Sequence, residues 1–262
     1  MKRALLAAML AAAPAGLMFC AVPARSADSL YDIYASGKYD EAIRAGVAAH
    51  SAPGYAIAAR AVLADAVLRE TPCLECLQRG EGFARQAVAA DPKYPDGQIW
   101  LAVALGYESR ITGAVKARLR DAPGESKAAL DAAVKNDPRN PFAVSALGGW
   151  HIEVVHAGGA FLARLVYGAT ESEALALFDR AVKLAPGNVA VRYQIGLSLA
   201  GFNPEKYRSR IEGELTAAMH DTPESAYEKA LQGRASELLV LLHRGDAASF
   251  DLRLRAFQGY PA

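Results

Sequence analysis

Cys73 and Cys76, in Cys-Leu-Glu-Cys, have the spacing of a reactive dithiol in this chain of 262 residues. Thiols this close at a helix start can close a strained, redox-active disulfide, and the positive end of the helix favours a thiolate. A haem attachment would place histidine after the second cysteine, where Leu77 stands. A thioredoxin-type site would need a preceding strand, and structural zinc would need a second pair of ligands; the sequence offers neither. Cys20, the third cysteine, sits in an apolar N-terminal run. If that run is removed on export to an oxidising compartment, a plain structural disulfide is the favoured state over a redox couple or free thiols.

His151, Glu153 and His156 carry ligand-type side chains in the wrong register for a metal. Zinc proteases set two histidines four apart with glutamate next to the first. Here they are five apart with glutamate two along, so the imidazoles point well round the helix from each other, although Glu153 and His156 can share a face. Gly158-Gly159 and Gly201-Phe202-Asn203-Pro204 read as turns rather than phosphate loops. With no nucleophile elbow, paired carboxylates or glycine-rich phosphate cradle, the expectation is no catalytic residue, no metal, no cofactor and no enzymatic activity. Trp100, Tyr107, Trp150 and Tyr193 remain as large contact residues, the tryptophans open to either a core or a groove role.

The elements that position these residues are helices. Alanine is abundant, aromatics are 8% of residues, and no run of alternating β-branched residues marks a strand. Helices are expected near 29–36, 39–50, 54–70, 76–90, 96–119, 125–136, 141–157, 160–167, 171–184, 189–201, 204–220, 224–243 and 246–257. Their stops include Pro53, Pro72 and Pro92, and Pro223 is expected at a first helical position. Met1-Lys2-Arg3 followed by the uncharged run Ala4 to Ala24 has the order of a secretory signal, so residues 1–27 are read as a leader cut after Ala24, Ser26 or Ala27, and 28–262 as one domain. An uncleaved anchor is the alternative. Phe19 before Cys20 argues against lipidation. The expected location is the periplasm, with no stable membrane insertion after cleavage.

The whole chain has 29 basic and 28 acidic residues, and losing Lys2, Arg3 and Arg25 tips the balance to acidic. That composition gives no reason to expect nucleic acid as a partner. Arg110, Lys116, Arg118 and Arg120 form a modest basic cluster, read as a solvated helix face.

Three segments repeat: Ala87 to Pro92, Ala133 to Pro138 and Ala181 to Pro186, with the prolines 46 and 48 residues apart. Twelve, eight and five places before each proline stand small, bulky and small residues: Ala174, Phe178 and Ala181; Ser126, Leu130 and Ala133; and the weaker Gly80, Ala84 and Ala87. Ten places after it come Leu147-Gly148, Ile195-Gly196 and Leu101-Ala102, while Gly37 to Ile43 reads as a turn and second-helix start. This register resembles the tetratricopeptide repeat (TPR), whose unit is two antiparallel helices and a proline-ended turn. The unit of that family is about 34 residues, so the central repeats carry insertions, roughly 106–125 and 149–170. The lengthened units are similar to the long-repeat TPR domain of the regulator of microtubule dynamics family and its bacterial relatives.

The resemblance implies an all-α, right-handed solenoid of about five to six antiparallel helix pairs. It also implies that Gly148 and Gly196 are close-contact positions. First helices line the concave face in TPR proteins, and the register puts Asp96, Tyr107, Phe142, Ser145, Glu153 and Tyr193 there. The expected function is therefore a non-enzymatic adaptor that holds a protein or peptide partner in its groove, although a periplasmic version could not meet microtubules. The alternative is a small-molecule-binding TPR-like subunit associated with solute transport, in which the insertions close the groove into a pocket. A thiol oxidoreductase using Cys73 and Cys76 comes third. An enclosed apolar cavity around Tyr107, Trp150 and Tyr193 would favour the small-molecule reading over the open groove.

Overall fold

The computed structural model describes residues 26–69 and 73–261. Residues 1–25 of the leader expected over 1–27, Cys20 and the stop at Pro72 lie outside the described residues. Among those described, every regular element is a helix. Six antiparallel pairs follow one another: α1 (Ala27–Ala35) with α2 (Tyr39–Ala48), α3 (Ala52–Leu68) with α4 (Leu74–Ala90), and α5 (Pro95–Thr112) with α7 (Ala122–Asn136). The chain continues with α8 (Pro141–Tyr167) and α9 (Glu171–Leu184), α10 (Val189–Phe202) and α11 (Arg208–His220), and α12 (Ala226–Arg244) and α13 (Ala247–Phe257). A short α6 (Ala114–Leu119) is inserted in the third pair.

Local sequence explains the starts. Ser51, Asn140, Thr170, Asn188 and Ser225 accept backbone N–H bonds at the heads of α3, α8, α9, α10 and α12. These side chains satisfy donors that a helix cannot pair internally. Pro141 occupies the first turn of α8, where its missing N–H costs nothing. Pro223, by contrast, does not open α12: the helix begins three residues later, behind the stronger cap Ser225.

The repeat register is visible as packing. Ala87, Ala133 and Ala181 on second helices are fully buried. A Cβ at Gly148 would come within 2.7 Å of the Phe178 ring, and one at Gly196 within 2.9 Å of Leu215. The close-contact glycines of α8 and α10 therefore lie against the bulky residues of their own partner helices, and a methyl group is already too large at either position.

Both insertions fall where the register requires, but their form differs from the expected helices. The single helix expected over 96–119 is cut at Gly113, whose φ of 87° lies in the left-handed region, and so divides into α5 and α6. The two helices expected over 141–167 instead form one element kinked at Gly159. A charge network fastens the first insertion: Arg120 reaches Glu108 on α5 and Glu81 on α4, and Arg85 on α4 binds Glu81 and holds Glu125 through two bonds of 2.6 and 2.9 Å. Arg110 and Arg120 are thus engaged in ion pairs and are not part of a solvated basic face.

The solenoid curls until its first helices meet. Successive first helices pack in the order α1, α3, α5, α8, α10 and α12, and α12 returns to α3. Arg234 on α12 makes this closure: its Nη2 donates to the carbonyls of Val67 and Leu68, each at 3.0 Å, at the C-terminal end of α3. Those carbonyls have no partner within their own helix, and a cation at a helix C-terminus is favourable. Second helices form the outer layer.

Two outcomes follow from this packing. Gly148→Leu and Gly196→Leu should each lower stability by about 1–3 kcal/mol or more through overpacking, whereas Gly106→Ala, whose Cβ meets nothing within 4 Å, should not; urea midpoints for the three variants make the comparison. The second concerns Glu108, whose carboxyl is pushed up to about 7, first by burial and then by facing Glu81, against the pull of Arg120. The folded chain holds this proton more tightly than the unfolded chain, so the stabilisation is complete below the ordinary glutamate value of 4.5 and is lost as pH rises through about 7. Urea midpoints measured from about pH 5 to pH 8 should fall in the wild type and fall less in Glu108→Gln.

Candidate ligand-binding site

Closing the ring of first helices leaves a space on its axis, because several inward positions are small. Ala64 on α3, Ala102 and Gly106 on α5, Ala146 and Gly149 on α8 and Ala190 on α10 all border it. Larger side chains complete the wall: Leu63, Val67, Ile99, Trp100, Tyr107, Leu130, Phe142 and Trp150, with Tyr34 from α1 and Tyr227 from α12. The cavity is about 210 Å³, larger than an engineered apolar cavity of ~150 Å³ that binds benzene. Apolar walls with few polar groups are the usual make-up of a small-molecule site.

The main polar feature is Arg60, at the middle of α3. Its guanidinium carbon lies 4.5 Å from the centre of the Tyr34 ring, 5.1 Å from Tyr31, 5.2 Å from Trp100 and 5.6 Å from Phe142. Four rings from three different helices therefore hold the cation by their π faces. The tyrosines leave its charge in place, since burial pushes both phenols above their ordinary value despite Arg60 beside them. Asp96 is near enough to be felt, yet it forms no ion pair with Arg60, and burial raises its carboxyl too. Arg60 Nε is sealed without an acceptor, as is the neighbouring Trp100 Nε1.

Arg110 and Glu153 stand at another part of the cavity wall, paired at 2.6 Å. Arg110 also donates to the carbonyl of Gln258 at 2.8 Å and lies over the rings of Tyr107 and Tyr260. The C-terminal segment packs here, and a Cβ at Gly259 would come within 2.8 Å of Tyr107. Glu153 and Ser198 also border a second, larger cleft of about 650 Å³ between α8, α10, α12 and α13. Arg208, Asp246, Asp251 and Arg255 line that cleft, so much of its wall is charged. The smaller cavity combines mostly apolar walls with a buried polar group without an acceptor, and is the better candidate.

Tyr107, Phe142, Ser145 and Glu153 are brought together around the cavity as the repeat register places them, although Tyr107 is buried and Ser145 donates to the Phe142 carbonyl at 3.2 Å. Tyr193 is 1% exposed, inside the main core, and Asp96 does not border the cavity. Where an open groove is expected, the concave face is narrowed to a pocket that still opens to solvent, with Gly106 exposed at its wall, because α12 crosses to α3 and the C-terminal segment packs on Tyr107. Both tryptophans border the chamber, and Trp150 Nε1 donates to the Pro123 carbonyl at 2.9 Å. Arg60, Tyr34, Arg110 and Tyr227 were not singled out from the sequence. One signal for Arg60 is present: it and Asp65 are the only charged residues in a helix otherwise made mostly of alanine and aliphatic residues.

The remaining sequence candidates lie elsewhere. His151 Nδ1 accepts the Thr170 N–H at 3.1 Å, while His156 packs on Phe202, so the two rings have separate partners. Cys73 caps α4, its Sγ accepting the Cys76 N–H at 3.1 Å, and the two sulfurs are placed at bonding distance.

Among curated proteins nothing matches this chain. The sequence profile of regulator of microtubule dynamics protein 1-3 matches residues 26–206, the span from the first helix pair into the fifth, and the chain therefore belongs to that family.

Proposed function

We propose that this protein is a non-enzymatic binding protein that encloses a small, largely apolar molecule on the axis of its ring of first helices. The observation that carries the reading is the chamber itself: about 210 Å³, walled by aromatic and aliphatic side chains with a few fixed polar groups. A protein or peptide groove would need a long open face, and here α12 against α3 and the C-terminal segment against Tyr107 narrow that face to a pocket. The family's name speaks of microtubule dynamics. In the exported location implied by Lys2-Arg3 and the apolar run after it, a small-molecule role fits better, and Cys73 and Cys76 form one disulfide there.

A second reading draws on the insertions. Val115 and Leu119 on α6, and Phe161, Leu162, Leu165 and Val166 at the end of α8, are exposed, Leu119 by 83% and Phe161 by 77%. Exposed apolar side chains at these densities favour a macromolecular contact, so a protein partner would dock on the insertions and leave the chamber free for ligand.

Gly106→Leu tests the chamber, because its side chain enters open space at the wall. Benzene should raise the thermal midpoint of the wild type and leave that of the variant unchanged, since the leucine takes the space benzene needs. Equal responses would remove the chamber as the binding site. Protein taken directly from its compartment should also weigh about 2 Da less before reduction than after it, for one disulfide; two alkylatable thiols would contradict the exported, oxidised state.

A further inference from the structure

Arg60 lacks the partner that an interior cation ordinarily has. Among the described residues no carboxylate forms an ion pair with it, and the side-chain oxygens that meet it are the neutral phenols of Tyr31 and Tyr34. Its Nε is buried without an acceptor, and the side chain borders the chamber. A buried donor left unmade costs about 1–3 kcal/mol, more when charged, and the cation–π contacts cover the faces of the guanidinium while leaving its edge without a carboxylate. The other cation at the wall, Arg110, is already neutralised by Glu153. Among the described residues, Arg60 is therefore the cation at the chamber wall that no carboxylate pairs.

We propose that the ligand is a small organic acid: one aromatic or branched apolar body with a single carboxylate, which the terminal nitrogens of Arg60 receive side-on. This rests on the chamber being the binding site and adds the chemical class. The fork of a guanidinium matches a carboxylate with two parallel N–H···O bonds. A monoanion brings the chamber to neutrality, whereas a dianion such as phosphate would leave a buried negative charge near Asp96 with no second cation free to meet it. The volume admits one ring with a short arm, on the scale set by benzene in ~150 Å³. Trp100 and Phe142, already against Arg60, are placed to flank the head of the ligand.

The probes are 3-phenylpropionate, its uncharged isostere 3-phenylpropionamide, and benzene, titrated into the full chain by calorimetry at constant ionic strength. The acid should bind at least about tenfold more tightly than the amide, the ratio expected when one charge-assisted pair worth ~1.4 kcal/mol is present in one and absent in the other. In Arg60→Met, whose apolar side chain can fill the space between the four rings, the preference should fall to about one while the amide still binds. Should that variant not fold, the wild-type ratio of acid to amide decides by itself. A ratio near one in the wild type, or an amide that binds more tightly, overturns the carboxylate assignment and leaves the chamber as a neutral site. If none of the three probes binds, the chamber reading falls with it.

Discussion

Arg234 makes the contact on which the rest of the architecture depends. An open stack of helix pairs would leave the first helices facing solvent, with the carbonyls at the end of α3 bonded to water. Arg234 crosses from the last pair to take the carbonyls of Val67 and Leu68, and its own guanidinium is covered by the Phe257 ring at 4.6 Å. Because the closing bonds are made by a buried cation to helix-end acceptors, they are charge-assisted and directional. They hold α12 against α3 in one position, and Tyr227, a few residues earlier on α12, reaches the chamber as a consequence.

Closure makes two kinds of small residue do opposite things. On the side facing the partner helix, Gly148 and Gly196 are small so that Phe178 and Leu215 can fill the gap, and the packing there is dense. On the side facing the ring axis, Gly106 meets nothing and Gly149 only the Ser198 hydroxyl at 3.7 Å, so the missing side chains remain as empty volume. Gly148 and Gly149 are neighbours in sequence, and the turn of the helix between them separates a core contact from a cavity wall. Stability is drawn from the outer contacts, and room for a ligand from the inner ones.

The electrostatics follow the same division. Between layers, charges are paired in networks such as Arg85 with Glu81 and Glu125, and Arg192 with Glu214 at 2.9 Å. At the axis, Arg110 is paired with Glu153, whereas Arg60 is held by aromatic rings and the neutral phenols of Tyr31 and Tyr34. Rings stabilise a cation without neutralising it, so the charge stays available to an incoming anion. A carboxylate in place of one of those rings would have made Arg60 a structural residue.

Much of the fold was legible in the chain because it depends on local rules. Proline-ended turns, side-chain caps and the small-bulky-small spacing determine where helices begin, end and touch, and those contacts lie between neighbours in sequence. The two insertions could be located for the same reason, although Gly113 and Gly159 divided them differently from expectation, since a single glycine can either end a helix or kink it. Tyr107, Phe142, Ser145 and Glu153 were placed at the concave side by the resemblance to the TPR family, whose register carries over residue by residue. What the sequence could not decide was whether that side is open. That depends on Arg234 meeting a helix end some 166 residues away and on Gln258 meeting Arg110 across 148 residues, long-range contacts that no local pattern encodes. The same long-range packing buried Tyr193 and turned Arg60, one charged residue in an apolar helix, into the polar centre of a mostly apolar pocket.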